Sequence, residues 1–326
     1  MKILFIGLDY HTYTRNIVAE MELLGAEVTN IDIQPRSMPF KIFMTLLRSQ
    51  YDTYLERLHN NAIRKSASIA FDKVIFLQAH QISLANLAYL RKVQPSAEFT
   101  LYNWDSLSNH DYRQQAGYFD RVLTFDRLDA RSNGYGYLPL FCQRSMQGLR
   151  RDRGDSRTLF MVGNIVKPVR YKAIESFRTY CEEKKLNFHQ HLKISPVVWA
   201  RLIHSKVRPT GISLRSIQLD AFQEMIETSC GVFDFANHDQ SGQTMRMMEN
   251  LCCGKKIVTN NLWVKQEPFY TTDRIHVFEG LDFTGVEEFL QMPLKYPDAE
   301  FPEYHIQSFV RQLVGVSPLV SASVGQ

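Results

Sequence analysis

Residues 234–261, DFANHDQSGQTMRMMENLCCGKKIVTNN, join a strand to a helix and that helix to another strand. The residues leading in, "GVFDFA" (231–236), are nearly continuous in apolar side chains, as a central strand buried on both faces should be. The chain then turns polar and reaches Gly242, where a backbone can approach a ligand closely. Thr244 is a good N-cap for the segment that follows. Along it Met245, Met248, Leu251 and Cys252 recur at helical spacing, with Arg246, Glu249, Asn250 and Cys253 on the opposite face. After Gly254, "KKIVTN" reads as the next strand. Strand, glycine loop, helix and strand in this order make one βαβ unit, so the sheet is parallel.

The same rhythm extends in both directions. In the first half, "KILFIGL", "EVTNIDI", "KVIFLQA", "EFTLYNW", "RVLTF" and "YLPLF" read as strands. "TRNIVAEMELLGAEV" places Ile17, Val18, Met21 and Leu24 at helical spacing with Gly25 as C-cap, and "SLANLAYLRKV" is a second helix. Between Gln143 and Ser156 the sequence becomes polar and basic, which reads as a linker. A second alternation follows: strand "RTLFMVGN", helix "YKAIESFRTYCEEKKL", strand "NFHQHLKI" and helix "SLRSIQLDAFQEMIETS" lead to the stretch quoted first. "RIHVFEG" and "VEEFLQM" continue it, and "EYHIQSFVRQLV" reads as a closing helix. The expectation is two doubly wound, Rossmann-like α/β domains, 1–150 and 151–326, with the closing helix able to cross back to the first. Open parallel sheets bind ligands beyond the carboxyl ends of their strands, and pockets favour domain interfaces. The active site is therefore expected in a central cleft between the two domains.

Composition narrows the class. The 326 residues are 44% hydrophobic and 22% charged, with 38 Lys and Arg against 34 Asp and Glu. That is a folded chain whose mild positive balance gives no argument for nucleic acid but allows attraction to an anionic surface. Five cysteines, odd in number and without CxxC spacing, argue against metal or disulfide frameworks and for a reducing cytosol. No apolar run is long enough for a membrane span. "GLDYHTY" lacks the later glycines of a dinucleotide fingerprint, and there is no GxxxxGK[ST], no Asp-x-Asp and no GxSxG. "NFHQHL" pairs His189 with His191 in the manner of a metal-ligand pair, but two histidines on one strand face read as structural.

"SGQTMRMMENLCCGKKIVTN" resembles the donor-site signature of GT-B glycosyltransferases, especially family 4-like enzymes of bacterial lipopolysaccharide and capsule synthesis. Glu249 aligns with the second Glu of that signature and Gly242 with its glycine; the first Glu is replaced by Ser241. More loosely, "LYNWDSL", "RVLTFDRLDA" and "YLPLF" are similar to the N-terminal domain of such enzymes, and "LFMVGN" with "VRYKAIESF" to the start of their donor domain. The resemblance implies a GT-B fold and transfer of a sugar from a nucleotide-sugar to a saccharide or lipid-linked acceptor on the cytoplasmic side of a membrane. It implies no cofactor and no metal, loop amides on the donor diphosphate, and Glu249 on the ribose. A retaining course, in which a donor phosphate oxygen takes the proton, is favoured over an inverting one. A non-catalytic GT-B-like protein that binds nucleotide or glycan stays open, because Ser241 stands where the family has an acid.

The donor-side set is Gly163, Asn164, Lys167, Arg170, Ser241, Gly242, Gln243, Thr244, Arg246 and Glu249. Gly163 and Asn164 end the first strand of the second domain, and the cations beyond them could clamp a leaving diphosphate. A surface loop with basic residues is the alternative. The catalytic set lies in the loops after strands of the first domain: Asp9 and His11, then His80, then Asp105, any of which could take a proton from an acceptor hydroxyl or simply line the cleft. Residues 41–65 combine Ile42, Phe43, Leu46, Leu47, Tyr54 and Leu58 with excess basic charge. They could pack on the sheet or lie on anionic lipid, helped by Arg150, Arg151 and Arg153.

Overall fold

The structure, a computed structural model, describes residues 1–9, 12–34, 40, 47–147, 149, 155–165, 167–204, 209–236 and 240–316. It divides into unit 1, Met1–Leu140 with Pro302–Gln326, and unit 2, Phe141–Phe301. Unit 1 begins with β1 (Lys2–Gly7), α1 (Tyr13–Leu23), β2 (Glu27–Asp32), α2 (Arg48–Ser66) and β3 (Lys73–Leu77). It continues through α3 (Leu84–Val93), β4 (Glu98–Asn103), α4 (Arg113–Ala116), β5 (Arg121–Thr124), α5 (Arg127–Asn133) and β6 (Gly136–Tyr137). Unit 2 holds α6 (Arg144–Gln147), β7 (Asp155–Ile165), α7 (Pro168–Glu183), β8 (Asn187–Ile194), α8 (Pro196–His204) and β9 (Ile212–Ser213). It ends with α9 (Leu219–Thr228), β10 (Ser229–Asp234), α10 (Met245–Cys252), β11 (Lys256–Thr259), β12 (Ile275–Val277) and α11 (Val286–Gln291). The chain then returns to unit 1 with α12 (Ile306–Leu313).

Each unit is built on a six-stranded sheet, ordered β2-β1-β3-β4-β5-β6 in unit 1 and β12-β11-β10-β7-β8-β9 in unit 2. The described pairings are parallel, as the βαβ reading of residues 231–261 requires. Strands β1, β3 and β4 are buried from their second residue onward, and such near-continuous apolar runs suit a sheet covered on both faces. Both units are thus doubly wound α/β domains. In each, the direction of winding reverses once, between β1 and β3 and between β7 and β10, and a crevice opens at the carboxyl ends there.

Local chemistry agrees with the element ends. Gly25 follows the last turn of α1 at φ +81°, which a side chain would strain. The Asp126 carboxylate caps α5 by accepting from the Leu128 and Asp129 amides. Several expectations need correction. Of "YLPLF" only Tyr137 belongs to a strand, the two-residue β6, and Pro139 beyond it has no N–H to give a ladder. "SLRSIQLDAFQEMIETS" becomes helical only at Leu219, and Ser213 belongs to β9. The helix α8 was not foreseen. Residues 143–156 contain α6 and the start of β7, while Arg150, Arg151 and Arg153 lie outside the described residues.

In the 41–65 segment, Ile42, Phe43 and Leu46 are also outside the described residues. The buried stripe of α2 is Tyr51, Leu55, His59 and Ile63, one position away from the expected Tyr54 and Leu58. His59 is the cause: it counts as polar, yet it is buried with Nε2 against the Ile33 carbonyl at 2.6 Å. Leu47 is half exposed. Among the described residues, no helix is long and apolar enough to cross a membrane.

Candidate functional site

The site in unit 2 sits at the β7/β10 crevice. β10 ends at Asp234, which is fully buried and collects three donors, two from the start of α10 and one from β11. Its Oδ1 accepts from the Thr244 hydroxyl at 2.8 Å and from Arg246 Nη1 at 2.7 Å, and its Oδ2 accepts from the Thr259 hydroxyl at 3.3 Å. Such a carboxylate is tolerable out of water only because a cation and two hydroxyls replace its hydration. Thr244 caps α10, its hydroxyl accepting from the Met247 amide at 3.1 Å while donating to Asp234. Arg246 Nε donates to the Val162 carbonyl at 2.7 Å, so one guanidinium bridges the ends of both central strands.

Gly163 is where this matters for a ligand. A Cβ built there would lie 2.6 Å from Arg246 Nη2 and 3.2 Å from Arg170 Nη2. Two guanidinium groups therefore converge over a residue with no side chain, with the N-terminus of α10 alongside. Positive charge and a helix N-terminus at a strand-end crevice are a combination suited to an anion. One expectation is corrected: β7 runs to Ile165, so Gly163 and Asn164 lie inside the strand, paired with Leu192 and Lys193, and not in a loop after it. Lys167 is the N-cap residue of α7, followed by Pro168 at its first position, and Arg170 lies in that helix's first turn.

The loop before α10 is held from β11. Asn261 Nδ2 donates to the Gly242 carbonyl at 3.1 Å, to Gln243 Oε1 at 3.2 Å and, more weakly, to the Ser241 carbonyl at 3.5 Å. Ser241, Gly242 and Gln243 are all buried, and Gln243 Nε2 has no partner among the described residues. A buried amide without an acceptor carries a desolvation cost that a ligand oxygen would remove. Glu249 is not a solvated residue: only 3% of it is exposed, and its Oε1 accepts from Gln143 Nε2 at 3.1 Å. α10 is buried from Met247 to Cys252, so Glu249 and Asn250 of its polar stripe are enclosed.

In unit 1 the candidate residues follow β1, β3 and β4, three adjacent strands. Asp9 comes after β1, with Arg15 Nε at 3.9 Å from its carboxylate. His11 lies outside the described residues. Asp105, after β4, accepts from Gln78 Nε2 at 2.6 Å. Gln78 is buried and holds φ +67°, a left-handed backbone that costs a non-glycine residue energy. His80 stacks on His110 with ring centroids 3.9 Å apart and planes within 4°. Burial, and then the neighbouring His110, push His80 down to about 4, so at neutral pH it is uncharged. Both rings line a cavity of about 870 Å³ in unit 1, together with Tyr51, Asp52, Glu56 and Gln81. Asp9 and Asp105 are absent from its lining, so these two do not line that cavity with His80.

Sequence reasoning missed Asp234, Asn261 and Gln143. For Asp234 a signal existed, an acid inside the apolar run "GVFDFA"; for Asn261 it was the polar pair closing "KKIVTNN". Nothing local marks Gln143. The His189–His191 pair lies on β8, with His191 Nε2 at 3.0 Å from the Arg215 carbonyl. Among the described residues, no group of three or more His, Cys, Asp or Glu could hold a metal ion.

No protein-family model matches the chain, and no curated sequence is significantly similar to it. Solved structures are similar in fold. An α-glucosyltransferase in complex with UDP and a 13-mer DNA aligns over 96% of this chain and 95% of its own, at 9% identity and TM-score 0.61. The lipopolysaccharide outer core galactosyltransferase WaaB, in its apo form, aligns over 96% and 99% at 14% identity and TM-score 0.58. A protein described as a UDP-N-acetylglucosamine 2-epimerase from Listeria monocytogenes aligns over 96% and 94% at 11% identity and TM-score 0.54. With two six-stranded, doubly wound units, the chain has the GT-B fold.

Proposed function

We propose that the chain is a glycosyltransferase that moves a sugar from a nucleotide-sugar to a saccharide or lipid-linked acceptor. The observation that carries the proposal is the convergence of Arg170 and Arg246 on Gly163, at the crevice between β7 and β10. Unit 2 holds the donor. Its diphosphate lies against Gly163 and the N-terminus of α10, with Lys167 as a further cation. Gln243 Nε2 donates to a donor oxygen, and Glu249, oriented by Gln143, accepts from the ribose hydroxyls. As the bond to the sugar breaks, negative charge grows on the leaving diphosphate, and preorganised guanidinium groups and helix dipole stabilise it without reorganising. The neutralising groups are all on the chain, so the reaction is proposed to need neither cofactor nor metal.

Unit 1 offers the acceptor. Asp105, aligned by Gln78, and Asp9 are the proton acceptors of an inverting course, whereas His80, uncharged with a value of about 4, is a weak base that lines the acceptor cavity. In a retaining course, which we favour, a donor phosphate oxygen takes the proton and these residues orient the hydroxyl. The resemblance of residues 241–260 to family 4-like enzymes supports assembly of a bacterial surface polysaccharide at the cytoplasmic face of a membrane as the setting.

The deciding test is a thermal-shift screen against UDP, GDP, CMP and dTDP, repeated with Glu249→Gln and Glu249→Ala. A nucleotide at about 100 times its dissociation constant adds about 2.7 kcal/mol of stability. One nucleotide should stabilise the wild type, and both variants should respond less. Release of that nucleotide from its sugar conjugate, with and without saccharides, then separates turnover from mere binding. If no nucleotide shifts the melting temperature, the donor site is wrongly assigned.

A further inference from the structure

β8 leaves the unit 2 sheet at Ile194, and two residues later the chain enters α8, where Ser195 Oγ accepts from the Val198 amide at 3.2 Å. Val198 and Leu202 join the core of unit 2. The next positions round the helix, Trp199 and Ile203, sit one turn apart and are 45% and 47% exposed. Leu214, 66% exposed, directly follows the edge strand β9, whose Ser213 pairs with Lys193 of β8. A helix packed by one face normally turns charged and polar residues to water. This one turns out a tryptophan and an isoleucine, so its outer face is built for something other than water.

Charge indicates what that is. From Lys193 to Leu219 the sequence carries Lys193, Arg201, Lys206, Arg208 and Arg215 and no Asp or Glu, in a chain that is otherwise nearly balanced. Lys206 and Arg208 lie outside the described residues and enter by sequence alone. Lys193 donates to Ser216 Oγ at 2.8 Å, and Arg215 is exposed next to Leu214, so two of the cations flank the apolar groups. Exposed aromatic and aliphatic side chains in a stretch that carries cations and no acid match a bilayer surface rich in anionic lipid. The apolar groups enter the boundary between headgroups and acyl chains, and the cations meet the phosphates. Nucleic acid would satisfy the charges but leave Ile203 and Leu214 without a counterpart.

We propose that the α8–β9 surface of unit 2, with Trp199, Ile203 and Leu214 at its centre, docks the protein onto an anionic lipid bilayer. α8 leaves the sheet at the carboxyl end of β8, the edge at which Gly163 also lies. Docking therefore brings the candidate donor edge of unit 2 towards lipid, although lipid binding itself is independent of the proposed function.

Co-sedimentation of the full chain with phosphatidylglycerol-containing vesicles, against pure phosphatidylcholine vesicles, tests this without any nucleotide. The wild type should partition at least tenfold more strongly onto the anionic vesicles, and high salt should weaken it. Trp199→Ala with Ile203→Ser, and separately Lys193→Glu with Arg215→Glu, should each reduce partitioning at least tenfold. These side chains are largely exposed, so melting temperatures should stay near wild type. Brominated phosphatidylglycerol should quench the tryptophan emission of the wild type more than that of Trp199→Phe. Absence of anionic-vesicle binding overturns the proposal. So does binding that both double variants retain, or a wild-type dimer that the Trp199→Ala, Ile203→Ser variant dissociates in the absence of lipid.

Discussion

At the scale of single residues, the unit 2 site depends on a side chain that is missing. Gly163→Ala puts a methyl group 2.6 Å from Arg246 Nη2, closer than any real contact, and presses on Arg170 as well. Both neighbours are the ends of long side chains and can move, so the fold should survive with a stability change under about 1 kcal/mol. The guanidinium pair cannot stay where it is, and nucleotide affinity, read by calorimetry, should fall about tenfold, equivalent to about 1.4 kcal/mol. His80 makes a second residue-scale prediction. Its value drops from 6.5 to about 4 in the folded chain, so the unfolded chain binds its proton more readily. Its contribution to stability is intact above pH 6.5 and is lost as pH falls towards 4. Denaturant titrations across that range should show a shallower pH dependence for His80→Asn than for the wild type. An unchanged slope would place His80 in water.

At the scale of elements, α10 is fixed at its start by one hydroxyl with two duties. Thr244 accepts from the Met247 amide and donates to the buried Asp234 carboxylate. Thr244→Ala should cost about 1–2 kcal/mol in chemical denaturation, as losing a cap does, and Thr244→Ser should restore most of it. Nucleotide binding should weaken in step, because α10 presents its N-terminus to the crevice. The end of α11 shows the complementary device. Lys256, buried on β11, donates to the Phe289 and Met292 carbonyls, so a cation meets the negative end of that helix. Burial lowers its value, and the carbonyls stand in for the lost hydration.

At the scale of the whole molecule, the chain finishes in the unit where it began. α12 packs on α1, and Phe309 meets Tyr102 edge-on at 5.0 Å. Arg121 closes the helix by donating to the Gln312 carbonyl at 2.8 Å. Ile306, Phe309, Val310 and Leu313 are all buried. Phe309→Ala should therefore destabilise unit 1 by about 3–5 kcal/mol. Ending the chain at Phe301 should leave it unable to fold unit 1, which circular dichroism and solubility would show. A truncated chain with native melting behaviour would make α12 an ornament.

The sequence by itself determined the layers of this protein. Apolar runs such as "KILFIG" and "KVIFL" need cover on both faces, and strand–helix alternation around them permits little except parallel, doubly wound sheets. Thr244 was legible as a cap because capping chemistry is local, whereas Gly242 and Glu249 were marked as site residues by the resemblance. Tertiary structure alone decided the rest. Asp234 becomes a hub because α10 and β11 converge on it, and Gln143 reaches Glu249 across 106 positions of sequence. Gln78 meets Asp105 because β3 and β4 are neighbours, and Arg170 meets Arg246 because β7 and β10 are. The outer face of α8 belongs with these: Val198 and Leu202 fill the core and leave Trp199 exposed. Periodicity records which residues must leave water, whereas strand order, which no local pattern encodes, settles which of them meet.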